Sequence, residues 1–259
     1  MGTVYLLPPP GGLKFKLSRA RKHLRHLRRI IERFKASDPW TFTRQVNADG
    51  TYYLYRLEIA YPSNITLLVA DEAIHHLRTV LDHLIVSTVE AVGKKVTSSH
   101  SFPIRRTKPK TEKEIASYEA SLRHVPAEAR ALIDSLQPYT RAADAKSHPL
   151  AILTSLDNRF KHTSLHLLSH QVGMRAVPGI IQRPPPPGGH DSGDIFAEVP
   201  VGVNVEKDFE PYLSVEIAFS IRLTGLPDVN IDKLDAIYNY VRDEVIQKAV
   251  QLKGMPRRL

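Results

Sequence analysis

Asp71-Glu72-Ala73-Ile74-His75-His76-Leu77-Arg78-Thr79-Val80-Leu81-Asp82-His83-Leu84 is the stretch from which the rest of the chain can be read. At about 100° per residue, Ile74, Leu77, Val80, Leu81, Leu84 and Ile85 fall in one arc of a helix. Arg78, Asp82, His75, Thr79, His83 and His76 fall in the complementary arc. Asp71 is placed as the N-cap, and Gly93 as the stop after about Val92. Arg78 and Asp82 are i,i+4 neighbours and can pair. Val86 and Val89 prolong the polar arc, so a second surface is expected to cover it and to leave several ionisable groups at a half-buried junction. Two readings stand side by side: a site, or a satisfied Arg–Asp pair with solvated histidines.

Upstream, Leu17, Ala20, Leu24, Leu27, Ile31 and Phe34 recur at spacings of three and four, the seam of an amphipathic helix whose other face is Arg, Lys and His. Trp40 to Val46 and Tyr52 to Ala60 alternate with period two around Asn47-Ala48-Asp49-Gly50, which predicts a β-hairpin ended by Pro62. Downstream, residues 111–136 predict helices broken near Pro126, and Pro149 opens a helix ending near Phe160. The period then changes. Ser164 to Val172, Arg175 to Gln182, Ile195 to Val205 and Tyr212 to Leu223 read as strands, with Pro184 to Gly193 as a stiff loop, and Ile231 to Leu252 as a closing helix. With no βαβ alternation, the expected class is α+β. A mainly helical region, 1–162, carries the hairpin. An antiparallel sheet and a C-terminal helix follow in 163–259, the two packed as one unit.

The 259 residues hold 42% apolar and 24% charged side chains and no cysteine. That composition excludes global disorder, disulfide scaffolds, thiolate nucleophiles and Cys-ligated zinc. No apolar run approaches a membrane span, and MGTVYLLPPPGG lacks the basic n-region and cleavage site of a signal peptide, so a cytoplasmic location off the membrane is expected. The net charge of +9 is segregated. Residues 1–35 hold ten Lys and Arg against Glu32 alone, and residues 94–113 hold seven against Glu112, while the remainder is mildly acidic. Such segregation suits an anionic partner, RNA or DNA first, with Arg21, Arg25, Arg28 and Arg29 as binding candidates. A solvated helix face kept for solubility is the competing explanation.

The nucleotide-binding glycine loops, the zincin H-E-x-x-H and the hydrolase G-x-S-x-G are missing from the sequence. Arg78-x4-His83 has the spacing of the R-x4-6-H motif of HEPN ribonucleases, whose Arg and His meet at a helical dimer interface. In that chemistry the Arg holds the scissile phosphate and the His moves a proton, with no metal. From 21 Arg and 12 His about one such spacing arises by chance; Arg21 and His26 form a second. Asp157, Asn158, Lys161 and His162 make another polar knot of i,i+4 pairs, for which a helix C-terminus is a sufficient structural reason. His162, His166 and His170 would reach one metal ion on a helix but not on a strand, where neighbours lie about 13 Å apart. The alternation of Leu165 and Leu167 with Ser164 and His166 favours the strand, so no metal and no cofactor is expected.

Taken together, Asp71 to Leu84 resembles the G-E-x-x-H-N-L-R-S-A-L-D-H-L segment of a family of uncharacterised bacterial proteins common in actinobacteria and some phages. Phe102-Pro103-Ile104, Leu136-Gln137-Pro138-Tyr139, Leu156-Asp157-Asn158 and Lys161-His162 follow in the same order. Departures from the pattern are Asp71 for Gly, His76 for Asn, Thr79 for Ser, and Phe160 and Thr163 where Asp and Arg are usual. The resemblance covers roughly residues 65–170 and brings no assigned activity. It implies that Glu72, His75, Arg78, Asp82, His83, Asp157, Asn158, Lys161 and His162 form one constellation on two helices. The expectation is therefore a nucleic-acid-binding protein, in one version a HEPN-like, metal-independent ribonuclease with Arg78 and His83 as catalytic pair. The alternative is a non-catalytic interaction or assembly protein whose polar helix network is structural. A homodimer is the expected assembly where the helix forms an interface.

Overall fold

The computed structural model describes residues 12–162, 166–174, 181–182, 193–202, 211–220 and 229–252. For residues 159–162 and for strands β3 and β6 below it describes the backbone. The chain is α+β, as its sequence predicts.

Helix α1 spans Gly12–Ala36 and buries Leu13, Ala20, Leu24, Leu27 and Ile31, with Leu17 and Phe34 packed against the same core. Its partner is α2, Ile65–Ala91. Gly12 lies beside His83 and His23 beside Glu72, so the two helices run antiparallel. The N-cap is Asn64 rather than Asp71, a correction of more than a turn. The reason is the run Ile65-Thr66-Leu67-Leu68-Val69-Ala70, which has no Gly or Pro and extends the core arc backwards through buried Thr66, Val69 and Ala70. The far end is as read: Gly93 adopts φ +69°, and Lys94 N–H reaches back to Val89 O at 3.1 Å.

Strands β1 (Trp40–Val46) and β2 (Tyr52–Ile59) form the expected hairpin. Gly50 takes φ +75° in its turn, where Asn47 Oδ1 accepts from the amides of Thr51 and Tyr52 at 3.0 Å. The hairpin does not stand alone. It is half of a four-stranded antiparallel sheet ordered β1-β2-β5-β4, with β4 Ile181–Gln182 and β5 Ile195–Pro200. A second sheet, β3-β6-β7, pairs His166–Met174 with Pro211–Ser220 and then Val229–Asn230. The strand placed at Ile195 to Val205 stops at Pro200. Residues 175–180 of the strand expected from Arg175, and most of the loop from Pro184, lie outside the described residues.

Short helices α3 (Glu112–Ser121) and α4 (Ala127–Ser135) flank Pro126 as expected. A capping box starts α3: Thr111 Oγ1 accepts from Glu114 N–H at 3.2 Å, and Glu114 Oε2 accepts from Thr111 N–H at 3.1 Å. A 3-10 segment, Pro138–Lys146, leads to α5, Pro149–His162. The closing helix, α6, runs through Ile231–Tyr240, a π-helical stretch Val241–Gln247, and Lys248–Val250. The wider π turn lets the consecutive Val245 and Ile246 both sit in the core.

His148 caps α5 and is 2% exposed. Its Nδ1 accepts from Leu150 N–H at 3.2 Å, so the Nε2–H is the one directed at Tyr240 Oη, 3.1 Å away. Burial, and secondarily Arg141, push its pKa down to about 4. The unfolded chain takes up this proton near pH 6.5 and the folded chain does not. Stability is therefore fully present above about 6.5, falls as pH drops from there toward 4, and is flat below that. The expected size is about 2–3 kcal/mol. His148→Asn keeps an acceptor for Leu150 without a titrating group; urea midpoints at several pH values should lose this slope in the variant and keep it in the parent.

Candidate functional site

The polar arc of α2 is divided between two neighbours. Residues five apart on a helix stand about 140° apart around its axis. Arg78 accordingly turns toward the loop 97–105 and α5, and His83 toward the start of α1.

On the first side, Arg78 Nη2 donates to Asp82 Oδ1 at 2.8 Å and to Phe102 O at 2.9 Å. Asp82 Oδ1 in turn accepts from Phe102 N–H at 2.9 Å. The pair is thus a clamp on both backbone groups of one residue in a loop twenty residues away. Phe102, fully buried, is pinned into the core by it. The next peptides are held by Gln137, which is also fully buried. Gln137 Nε2 donates to Pro103 O at 2.8 Å and to Ile133 O at 3.1 Å, and its Oε1 accepts from Arg105 N–H at 2.9 Å. Beside the clamp opens a polar cleft of about 470 Å³, lined among others by Arg78, Asp82, Arg105, Thr154, Asp157 and Asn158. Asp157 is buried, and its Oδ1 lies 3.8 Å from His75 Nδ1. Arg78 Nη1 and Thr154 Oγ1 are buried with no hydrogen-bond partner among the described residues. The expected meeting of the two helices is therefore present for Arg78, Asp82, His75, Asp157 and Asn158. The side chains of Lys161 and His162, which completed the expected group, lie outside the described residues.

On the second side, His23 of α1 approaches Glu72 at 3.0 Å and stacks on His76 with ring centroids 5.4 Å apart. Burial lowers the pKa of His23 more than Glu72 raises it, with Arg19, His26 and Lys22 adding to the lowering. His76 is lowered first by burial and then by His23. Glu72, His76 and His83 thus belong to the α1 contact and not to the cleft.

The outer face of α1 is the third polar region. Arg28 Nη2 reaches Asp232 Oδ1 at 2.8 Å and Asp235 Oδ2 at 2.6 Å, which raises its pKa further. Arg21 lies 3.5 Å from Asp235 and over the Tyr238 ring. Two of the four arginines expected to bind are therefore engaged by α6. The other two, Arg25 and Arg29, are exposed and line a groove of about 340 Å³ with Arg19, Lys22, His23 and His26. No carboxylate lines it, and Arg19, Lys22, Arg25 and Arg29 make no ion pair among the described residues.

Among the described residues no group of three His, Asp or Glu is placed to hold a metal ion, and no helix is long and apolar enough to cross a membrane. His162 ends α5 while His166 and His170 lie on β3, so the three do not share one helix. Sequence reasoning missed the Phe102 clamp and the backbone bonds of Gln137. It also passed over Thr111-x-x-Glu114, whose capping-box spacing was legible.

The fold and its polar regions thus define an α+β protein with a one-sided basic helix. No family model matches the chain, and neither the curated proteins nor the solved structures give a match.

Proposed function

We propose that the protein binds nucleic acid, with the outer face of α1 as its electrostatic footprint. The supporting observation is the groove lined by Arg19, Lys22, Arg25, His26 and Arg29 without a carboxylate. A face kept only for solubility is normally of mixed sign; α1 carries Glu32 as its one acid, and the acids that α6 brings up, Asp232 and Asp235, are spent on Arg28 and Arg21 at the flank. Phosphates placed along the groove would release condensed counterions, so affinity should fall steeply with salt. The test is fluorescence anisotropy of labelled RNA and DNA in a salt series. With four or five phosphates neutralised, log K should fall against log salt with a slope of about −3 to −5. No binding at low salt ends the reading.

The structural reading of the α2 network has its own support in the Arg78–Asp82–Phe102 clamp, in which both side chains are committed to holding a loop. The ribonuclease version needs Arg78 and His83 at one phosphate, yet within a chain they face different neighbours. A homodimer facing this helix would have to supply the missing partner. Metal-independent RNA cleavage lost in His83→Ala would favour that version over the scaffold.

A further inference from the structure

Beside the segment that carries the second cluster of cations lies an open cavity of about 590 Å³, walled by α3 and α4 and by Lys108, Pro109 and Tyr139. It shares no lining residue with the cleft at Arg78. Its apolar walls are Pro109, Ile115, Tyr118 and Tyr139, and Ile115 is 45% exposed, large for an isoleucine with no task in the core. Lys108 and Arg130 also line the cavity. Its two carboxylates are already oriented: Glu119 is paired with Arg130, and Asp134 accepts from the Tyr118 hydroxyl. Burial first, and the bond to Asp134 second, raise the pKa of the Tyr118 phenol above its ordinary value. The cavity thus combines flat aromatic and aliphatic walls with fixed acceptors and with cations.

The chain leading to it is Arg105-Arg106-Thr107-Lys108-Pro109-Lys110. Of the two acids that follow in the first turn of α3, Glu112 and Glu114, Glu114 is occupied by the amides of Lys110 and Thr111, and Glu112 stands among five cations from Arg105 to Lys113. Lys108, Lys110 and Lys113 are exposed or nearly so and make no ion pair among the described residues. A backbone of phosphates can therefore follow this run while one attached group enters beside Tyr139. A run of cations beside an aromatic surface suits a single strand, because each unpaired base has a free face to stack and a duplex has none.

We propose that this cavity takes an unpaired nucleobase, so that the protein prefers single-stranded nucleic acid to duplex. The inference rests on the nucleic-acid reading above and adds what the α1 groove lacks, a feature that distinguishes strand state. The α1 groove meets phosphates, which both forms present; the cavity meets base faces.

The experiment uses the full chain and an oligonucleotide of about 12 nucleotides carrying 2-aminopurine, alone and annealed to its complement, with anisotropy and 2-aminopurine emission read together. The single strand should bind about 10-fold tighter and its emission should be quenched on binding. Tyr139→Ala should remove about that 10-fold for the single strand and leave duplex affinity unchanged, while Tyr139→Phe keeps it. Ile115→Ala, at an exposed position that cannot unfold the chain, should reduce quenching in the same direction. Equal affinity for both forms, or a Tyr139→Ala loss shared equally by the duplex, overturns the proposal. An Arg25→Ala/Arg29→Ala variant separates the two ideas. If it weakens both forms while Tyr139→Ala and Ile115→Ala change nothing, the cavity proposal fails and the α1 reading stands. If it changes nothing while Tyr139→Ala acts on the single strand, the α1 footprint fails and the cavity stands. Absence of binding in the parent protein overturns both.

Discussion

Reversing the charge at Lys22, Arg25 and Arg29 to Glu should cost at least about 100-fold in affinity for RNA or DNA near 0.1 M salt and flatten the salt slope by about three. These three side chains lie on the open face of α1 and make no ion pair among the described residues. Unfolding should therefore be nearly unchanged, and any destabilisation should be well under the effect of a core substitution. The contrast is with Arg28→Glu. That change removes two bonds to Asp232 and Asp235 and sets three acids together at the α1–α6 contact. It should destabilise the fold before it affects any ligand. Binding titrations together with urea midpoints separate the two classes; a triple variant with parental affinity would remove α1 from the interface.

Asp82→Ala should destabilise the protein by about 2–3 kcal/mol, the second large effect. The change leaves Phe102 N–H without its acceptor and Arg78 with one bond instead of two. Arg78→Ala should cost somewhat less, since Asp82 keeps the Phe102 amide and is partly open to solvent. Because the two side chains bond each other and the same residue, Phe102, the double variant should cost less than the sum, with a coupling of about 1 kcal/mol. Additive losses measured by chemical denaturation would show that the clamp is not one unit. The same variants bear on chemistry: the scaffold reading expects loss of stability with nucleic-acid affinity retained under folding conditions.

Much of the fold was legible because its signals are local. The spacing of Leu17 to Phe34 specifies a helix one face of which must be buried, and Asn47 to Gly50 specifies a turn between two alternating runs. Where the reading slipped, a local rule was met by a stronger one: Asp71 is a good cap, but Ile65 to Ala70 had apolar surface to bury and carried the helix past it. The angular separation of Arg78 and His83 was also available from helical geometry alone. Grouping all polar residues of α2 in one arc concealed that an arc of this width has two edges, each meeting a different neighbour.

The periods, the turns, the α+β order and the concentration of positive charge on one helix are written in the residues, since each follows from positions close to one another along the chain. Which of those charges stay available depends on the folded arrangement. Arg28 is neutralised by Asp232 and Asp235, more than 200 positions away, and Arg78 is committed to Phe102, 24 positions away. The physical reason is that Coulomb pairing and hydrogen bonding depend on distance in space, and the chain's fold sets that distance after the local pattern has been spent.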